Sequence, residues 1–333
     1  MKDFNIGEIA ALLRQTAPFL VFRFLIYFGI TLGFVLATGV GAGVGYGVGA
    51  IGGDAPAGGM WGGIIGFGLA SSVMYFLREL ILYKVKAGHI AVLVELMDGK
   101  PLPEGRGQIE HAQKVVTERF VESSTLFVLD QLIKGILKTF NRLFFTISNF
   151  LPIPGAQGIA RFINTVVTLS LTYLDEVILA YNIRTRSDNP WRSSQTGLIL
   201  YAQNYKAFLK NALWLSFFIW ALSALVFIII LAPVAAMVAL FPGTAGPLTL
   251  IVAIVFTWGV KQALIEPFAM TAMMQVFFKV TEGQEANAEW ESKLEQASEQ
   301  FRELRVKASN WITAPAAETA TPPVATSKSP ALD

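Results

Sequence analysis

The sequence contains no cysteine, which excludes disulfide bonds, zinc sites with thiolate ligands and thiol nucleophiles. It also lacks the G-x-S-x-G, Walker A and H-E-x-x-H motifs. The two histidines, His89 and His111, have no neighbouring residues that suggest a ligand set. We therefore predict no catalytic residue, no cofactor and no metal site, and no motif that defines a known family can be placed on the chain.

Charged residues are scarce as well. They make up 15% of the chain, against about 25% in soluble domains, while 53% of the residues are hydrophobic. Asp54 is the only charged residue within 24–77, and 211–260 contains none. Each run is long enough for two helical spans of about 20 residues and is interrupted by a turn rich in Gly and Pro. We predict an all-α polytopic membrane protein with transmembrane hairpins at 17–83 and 212–278.

The distribution of Lys and Arg predicts the orientation of these hairpins. Sixteen of the 26 Lys and Arg residues lie within 78–210, and neither hairpin turn contains one. We therefore expect both termini and the middle of the chain on the cytoplasmic side of the inner membrane. Residues 1–16 are interpreted as an amphipathic surface segment that leads into the first span. The net charge of +2 is unremarkable, and the expected partner is the lipid bilayer, not a nucleic acid.

The region between the hairpins divides into three parts. Residues 84–125 are predicted to form a cytoplasmic element, in which the β-branched stretch HIAVLVEL indicates a strand or β-hairpin and a helix begins near Gln108. Residues 126–185 have helical spacing with charges on one face, which predicts a third hairpin that either spans the membrane or lies at its interface. Residues 186–211 are interpreted as a cytoplasmic loop and helix. The predicted total is four passes, or up to six.

The C-terminal region is water-soluble in composition. Within 279–312, apolar residues alternate at spacings of four and three, which predicts one amphipathic helix with a coiled-coil seam of about three heptads. Residues 290–311 of this helix are a candidate surface for a partner. Residues 313–333 have no apolar pattern and are predicted to be a disordered tail.

Glycine is unusually dense in the first hairpin, where 14 of the 30 residues from Gly39 to Gly68 are Gly. Small residues spaced four apart allow two membrane helices to touch closely, and a helix in lipid survives them because its hydrogen bonds are internal. The predicted packing positions are Gly29, Gly33, Gly41, Gly45, Gly49, Gly62 and Gly66. Two alternatives remain open, a mobile Gly-rich loop between ordinary spans and close packing between subunits.

Ionisable residues inside the last apolar run form one candidate polar site. Lys261 and Gln262 fall near the middle of the predicted span, and Glu266 precedes Pro267. A charged residue at the centre of a bilayer costs about 3 kcal/mol unless it is paired or hydrated. Lys261 and Glu266 are about 140° apart on an α-helix, so we expect no direct pairing unless the backbone shifts at Pro267.

Two further groups of charges are candidates. Arg23 falls at the same predicted depth as Glu79, which is typical of a structural ion pair or of snorkelling at the cytoplasmic boundary. Lys134 falls opposite Glu176, which follows Asp175. This carboxylate pair either marks the cytoplasmic end of a helix or has a binding role with a lysine.

Three functions stay open at this stage. The leading hypothesis is a non-enzymatic membrane component that works through helix packing and assembly, with itself or with a membrane partner, by its glycine stripes and residues 290–311. The alternative is a small-solute or ion transporter or channel with a polar site around Lys261 and Glu266. A membrane-embedded enzyme is the third possibility, for which no motif is found.

Overall fold

The computed structural model describes residues 2–77, 83–103, 107–119, 128–139, 157–239 and 245–311. Across these ranges the regular structure is helical and contains no strand, so the predicted helical fold class is confirmed. In chain order the helices are α1 (Ile6–Gln15), α2 (Ala17–Ile51), α3 (Ala55–Leu77), α4 (Tyr83–Met97), α5 (Gly107–Arg119), α6 (128–139), α7 (Gln157–Thr172), α8 (Leu174–Thr185), α9 (Pro190–Gln203), α10 (Tyr205–Val238), α11 (Ala245–Val260), a π-helical turn (Lys261–Ile265), α12 (Glu266–Val280), α13 (Ala288–Ala297) and α14 (Glu299–Ser309).

Five helical stretches are long and apolar enough to cross a membrane: Ala17–Ile51, Ala55–Met74, Asn164–Thr185, Tyr205–Ala236 and Leu250–Val280. Four of them belong to the two predicted hairpins. The fifth, formed by α7 and α8, has 72% of its apolar window buried inside the protein, which favours packing against protein over exposure to lipid. It is the second half of the predicted third hairpin, whose turn lies outside the described residues.

A compact body contains the main hydrophobic core. Helices α4, α8, α9 and α12 meet there, with fully buried side chains such as Ile90, Ile178, Leu198 and Phe277. Most of the large apolar side chains that are exposed lie instead on α2, α3, α10 and α11. These four helices leave the body as an apolar layer, and their exposed surface is what a bilayer would cover.

The apolar layer is an open row in the order α3, α2, α11, α10. Helix α3 packs mainly on α2, α2 packs on α11, and α11 packs on α10. Ring contacts join the middle pair, with the centroids of Tyr27 and Trp258 6.0 Å apart and those of Phe28 and Phe256 6.1 Å apart. Helices α3 and α10 form the two ends of this row, and α7 packs on α10, where the rings of Phe162 and Phe217 lie 5.9 Å apart.

The predicted strand at HIAVLVEL is wrong, because these residues belong to α4. Residues 87–94 are all buried, since α4 packs between α5, α8 and the start of α2. A helix that is buried on all sides needs a continuous apolar run, and such a short run cannot be distinguished from a buried strand by its pattern. The helix expected near Gln108 is present, because α5 begins at Gly107.

The single heptad helix predicted for 279–312 is replaced by two helices. Helix α13 ends at Ala297, and the Ser298 side chain accepts a hydrogen bond from the backbone N–H of Phe301 to cap α14. Helix α14 packs on α9, which buries Phe301, Leu304 and Ala308 in the body. The apolar seam is therefore covered by the chain itself. The tail predicted for 313–333 lies outside the described residues.

Candidate functional site

The glycines at positions 41, 45 and 49 of α2 face those at 58, 62 and 66 of α3. A Cβ atom added to Gly45 would lie 2.1 Å from the carbonyl oxygen of Gly58, and one added to Gly62 would lie 2.1 Å from the carbonyl oxygen of Gly41. The two backbones are thus in direct contact. Four-residue spacing keeps one glycine of each turn on the contact face, which places the stripes of the two helices against each other.

The other predicted packing glycines lie in different surroundings. Gly29 has open space where a Cβ would be, and Gly33 lies against the side chain of Met74. A second stripe on α2, which the sequence analysis did not single out, also faces open space: Gly39, Gly43 and Gly47. The exposed side chains of Val40, Val44 and Val48 lie beside this stripe.

Lys261 and Glu266 form an ion pair with 3.4 Å between Nζ and Oε1, contrary to the prediction that they do not pair directly. The reason is the π-helical turn at Lys261–Ile265, in which hydrogen bonds span five residues instead of four. Residues five apart then lie on the same face. The Gln262 amide lies beside this carboxylate, and with its nitrogen turned toward Glu266 it donates to Oε1 at 3.3 Å while its oxygen accepts from Nε1 of Trp258.

Lys261 and Glu266 lie near the middle of the candidate span Leu250–Val280. Residues 267–274, which follow the pair, are all buried in the compact body, whereas Leu250, Ile251 and Ile254 of α11 are exposed. Lys261 and Glu266 therefore lie where the apolar layer joins the body.

Arg23 lies at the same junction and is almost fully buried, with 1% of its surface exposed. Its Nε and Nη1 atoms have no hydrogen-bond partner among the described residues. Glu266 and Glu176 are within electrostatic range of the guanidinium group, and Tyr27 contacts it. Glu79, the predicted partner of Arg23, lies outside the described residues.

Lys86 of α4 is the partner of Glu176, and the two side chains form an ion pair between α4 and α8. Lys86 could not be identified from the sequence as this partner, because no local pattern links residues 90 positions apart. Lys134, predicted opposite Glu176, instead forms an ion pair with Asp130 in its own helix at 2.7 Å. Asp175 lies beside Glu176 at the start of α8, with its Oδ1 atom buried.

His89 is a second buried residue whose role the sequence did not indicate. Its ring stacks on Phe19 with the centroids 5.1 Å apart, and Nε2 lies 2.9 Å from the hydroxyl of Thr16. Burial and the nearby charge of Arg23 hold the pKa of His89 well below its ordinary value, so the ring is neutral at pH 7. This places an uncharged, packed histidine one turn from Lys86.

Burial and neighbouring charges also shift the pKa values of residues that lie outside the apolar helices. Burial disfavours the ammonium of Lys86, but the carboxylates of Glu176 and Asp175 outweigh it and raise the pKa of Lys86 above its ordinary value. Burial raises the pKa of the Asp130 carboxyl, and Lys134 offsets part of that shift. Together with Arg23, these residues form a charge cluster at the root of the two hairpins.

Helical segments from five parts of the chain position this cluster: α2, α4, α6, the α7–α8 pair, and the π-helical turn with α12. Its members, which we call the root cluster, are Arg23, Lys86, Asp130, Lys134, Tyr173, Asp175, Glu176, Lys261 and Glu266. Tyr173 lies at the break between α7 and α8, within electrostatic range of Glu266. No group of three or more His, Asp or Glu residues arranged to hold a metal ion occurs in the described part of the chain. Comparison of the chain with protein-family models, with curated proteins and with solved structures gives no match.

Proposed function

We propose that the protein is a non-enzymatic, multi-pass inner-membrane protein that works by self-assembly, with a second copy packed on the open glycine stripe of α2. The observation that carries this proposal is the open space at Gly39, Gly43 and Gly47. Residues 290–311 are a weaker candidate surface for assembly, because the chain itself buries Leu294, Phe301 and Leu304.

The glycine stripe of α2 that faces α3, which we call the closed stripe, shows that glycines at this spacing allow close helix packing in this chain. On one face of α2, Gly41, Gly45 and Gly49 bring α3 to backbone contact. The open stripe has the same residue type at the same spacing. Glycine lowers the cost of close helix approach in lipid, where van der Waals packing replaces the hydrophobic effect as the driving force. A second α2 is the partner that offers a matching glycine surface.

The apolar layer also leaves room for this partner. Helix α3 covers one edge of α2, and only 6% of the apolar window of α3 is buried. Gly259 of α11 lies against Thr31, whereas nothing among the described residues lies within 4 Å of a Cβ atom placed on Gly39, Gly43 or Gly47. The outer half of α2 is therefore free to pair, and a two-fold axis would bring Gly43 of one copy near Gly43 of the other.

Disulfide trapping tests this proposal cleanly, because the chain has no native cysteine. Val40→Cys, beside the open stripe, is expected to give an oxidised dimer in native membranes. Ile228→Cys, which is equally exposed on α10, serves as the matched control and should give little dimer. Adding Gly43→Ile to Val40→Cys should abolish the dimer and leave the amount of folded protein unchanged. A dimer insensitive to Gly43→Ile, or no dimer, contradicts the proposal.

A second candidate function, transport of an ion or small solute, is favoured by the unpartnered nitrogens of Arg23 beside the Lys261–Glu266 pair. Buried charges among membrane helices commonly mark such paths. In this case Lys261→Met should leave the protein folded and abolish the growth phenotype that complementation of a deletion strain restores. A fully active Lys261→Met protein would remove this candidate.

A further inference from the structure

An open cavity of about 590 Å³ lies between the N-terminal segment and the C-terminal ends of α8 and α12. Arg184 and Lys279, which line it, are in the last turns of these two helices, whereas Glu176 and Glu266 of the root cluster are in the first turns. The cavity is therefore separate from the root cluster. Its volume falls within the range of sites that bind small molecules, roughly 300–1,000 Å³.

Arg184 is held in place on two sides and still has unused donors. Its Nε atom lies 2.9 Å from Oδ1 of Asp98, and its Cζ atom lies 4.3 Å from the ring centroid of Phe278. Its two Nη atoms make no hydrogen bond in the described part of the chain, and its side chain is 38% exposed. A guanidinium group that is fixed in this way can bind two oxygen atoms of one carboxylate or phosphate group with its free edge.

Two lysines add positive charge to the same cavity. Lys2 and Lys279 line it, and neither forms an ion pair within the described ranges. Asp3 also lines the cavity, but its Oδ2 atom lies 2.6 Å from Nζ of Lys210 and accepts a hydrogen bond from the Asn211 amide at 2.7 Å. Asp3 is thus already paired, which leaves the two lysines available to a ligand.

Two carboxylates give the cavity negative charge as well. Glu8 of α1 and Glu282, just after α12, line it, are exposed and form no ion pair with a described residue. Carboxylates accept hydrogen bonds from ammonium groups, and they repel a simple anion. A lining of both signs is therefore complementary to a solute that carries an anionic group and an ammonium group together.

We propose that this cavity binds a small zwitterionic solute, with its carboxylate or phosphate group on the free edge of Arg184 and its ammonium group facing Glu8 and Glu282. Tyr181 and Phe278, which also line the cavity, offer apolar surface to its carbon atoms. Binding makes and breaks no covalent bond. This inference depends neither on self-assembly nor on transport through the root cluster.

Calorimetric titration of the full chain in lipid nanodiscs tests the site with two probes. Glutamate carries carboxylates beside an ammonium group, and phosphoethanolamine carries a phosphate group beside one. We expect at least one of them to bind with a Kd of about 1 mM or tighter, and inorganic phosphate, which has no ammonium group, to bind at least about tenfold more weakly. The tighter probe identifies the anionic group. The proposal is overturned if neither probe binds, or if inorganic phosphate binds as tightly as they do.

Variants locate the binding on this cavity. Arg184→Gln should weaken the tighter probe about tenfold or more, because it removes the bidentate fork, and Arg192→Gln, an exposed arginine that does not line the cavity, should bind like the wild type. Because Arg184 also contacts Asp98 and Phe278, Lys279→Gln provides a second variant, which removes an exposed lysine without an ion pair and should weaken binding several-fold with unchanged thermal unfolding. Wild-type affinity in either variant, when folded, contradicts the proposal.

Discussion

The Nζ atom of Lys261 lies 3.4 Å from Oε1 of Glu266, although the two residues are five positions apart in one continuous helical segment. The π-helical turn brings them to one face, and π-helical turns are frequent at functional sites. Lys261 is not the only charged or polar group near Glu266 in the described structure, because Arg23 and Tyr173 also lie within electrostatic range of this carboxylate. Lys261 has Glu266 as its ion-pair partner and is about one-third exposed.

Lys261 and Glu266 should therefore contribute unequally to the free energy of unfolding. Lys261→Met is expected to cost less than about 1 kcal/mol of unfolding free energy, because a partly exposed pair contributes little. Glu266→Gln should cost about 1–3 kcal/mol, since it leaves the buried Arg23 with less compensating charge. Denaturant unfolding in mixed micelles measures both values. Equal costs for the two variants would contradict the assignment of Glu266 as the shared carboxylate.

The glycine contact predicts a sharp contrast between two positions on α3. Gly62→Ala should destabilise the α2–α3 hairpin by about 1–3 kcal/mol, because its Cβ would lie 2.1 Å from the carbonyl oxygen of Gly41. Gly68→Ala is the matched control, since nothing lies within 4 Å of its Cβ position. Thermal unfolding in detergent distinguishes them, and equal stability of the two variants would rule out backbone contact. The four-residue spacing of glycines in the sequence does not by itself indicate which of them can be replaced by Ala without loss of stability.

Much of the layout could be predicted from the sequence. The long uncharged runs locate the helices of the apolar layer, because composition alone decides whether a segment is stable in lipid. The spacing of Gly41 and Gly45 indicates a contact face, because helical periodicity converts spacing into position on a surface. Both inferences use short-range patterns, and both agree with the described helices.

The root cluster could be predicted only in part. The sequence singled out Glu176 and Glu266 as charges in apolar runs, but their partners depend on tertiary packing. Lys86 belongs to a helix that the sequence suggested as a strand, and it meets Glu176 from 90 positions away. The π-helical turn is set by how α11 enters the body, so Pro267 indicates a local disturbance without specifying its geometry.

The C-terminal helices should contribute to the stability of one chain instead of linking two chains. Phe301 is fully buried where α14 packs on α9, so Phe301→Ala is expected to cost about 3–5 kcal/mol. Val306→Ala, on the exposed side of the same helix, should change stability by less than about 0.5 kcal/mol. Unfolding curves measure the difference. A Phe301→Ala protein with wild-type stability and altered association would restore the coiled-coil hypothesis.

Single cysteines also test the predicted orientation. Ile51 is 90% exposed at the tip of the first hairpin, and Glu303 is exposed on α14. Because Lys and Arg are concentrated in the body, we expect the tip outside and α14 in the cytoplasm. An impermeant thiol reagent added to spheroplasts should label Ile51→Cys and should label Glu303→Cys only after lysis. The opposite labelling pattern would invert the topology.

His89 predicts how stability depends on pH. Burial and the charge of Arg23 lower its pKa in the folded protein, whereas the unfolded chain has the ordinary value of 6.5. The folded state therefore binds fewer protons, and stability falls as the pH drops below about 6.5, by at most about 1.4 kcal/mol per pH unit. The loss continues until the pH reaches the folded pKa, because below that value both states are protonated.

Replacing each histidine in turn isolates the contribution of His89 to the pH dependence of stability. His89→Gln keeps a polar group near Thr16 but cannot titrate, so its loss of unfolding free energy between pH 7 and pH 5 should be smaller than that of the wild type. His111→Gln, on α5, removes the 2.6 Å contact between His111 and Glu95 but leaves the ring of His89 in place, so it should not show the smaller loss. Other groups titrate in this range, and the difference between the His89 variant and the wild type removes their contribution. An identical pH dependence in all three proteins would show that His89 is charged in the folded state or is accessible to water.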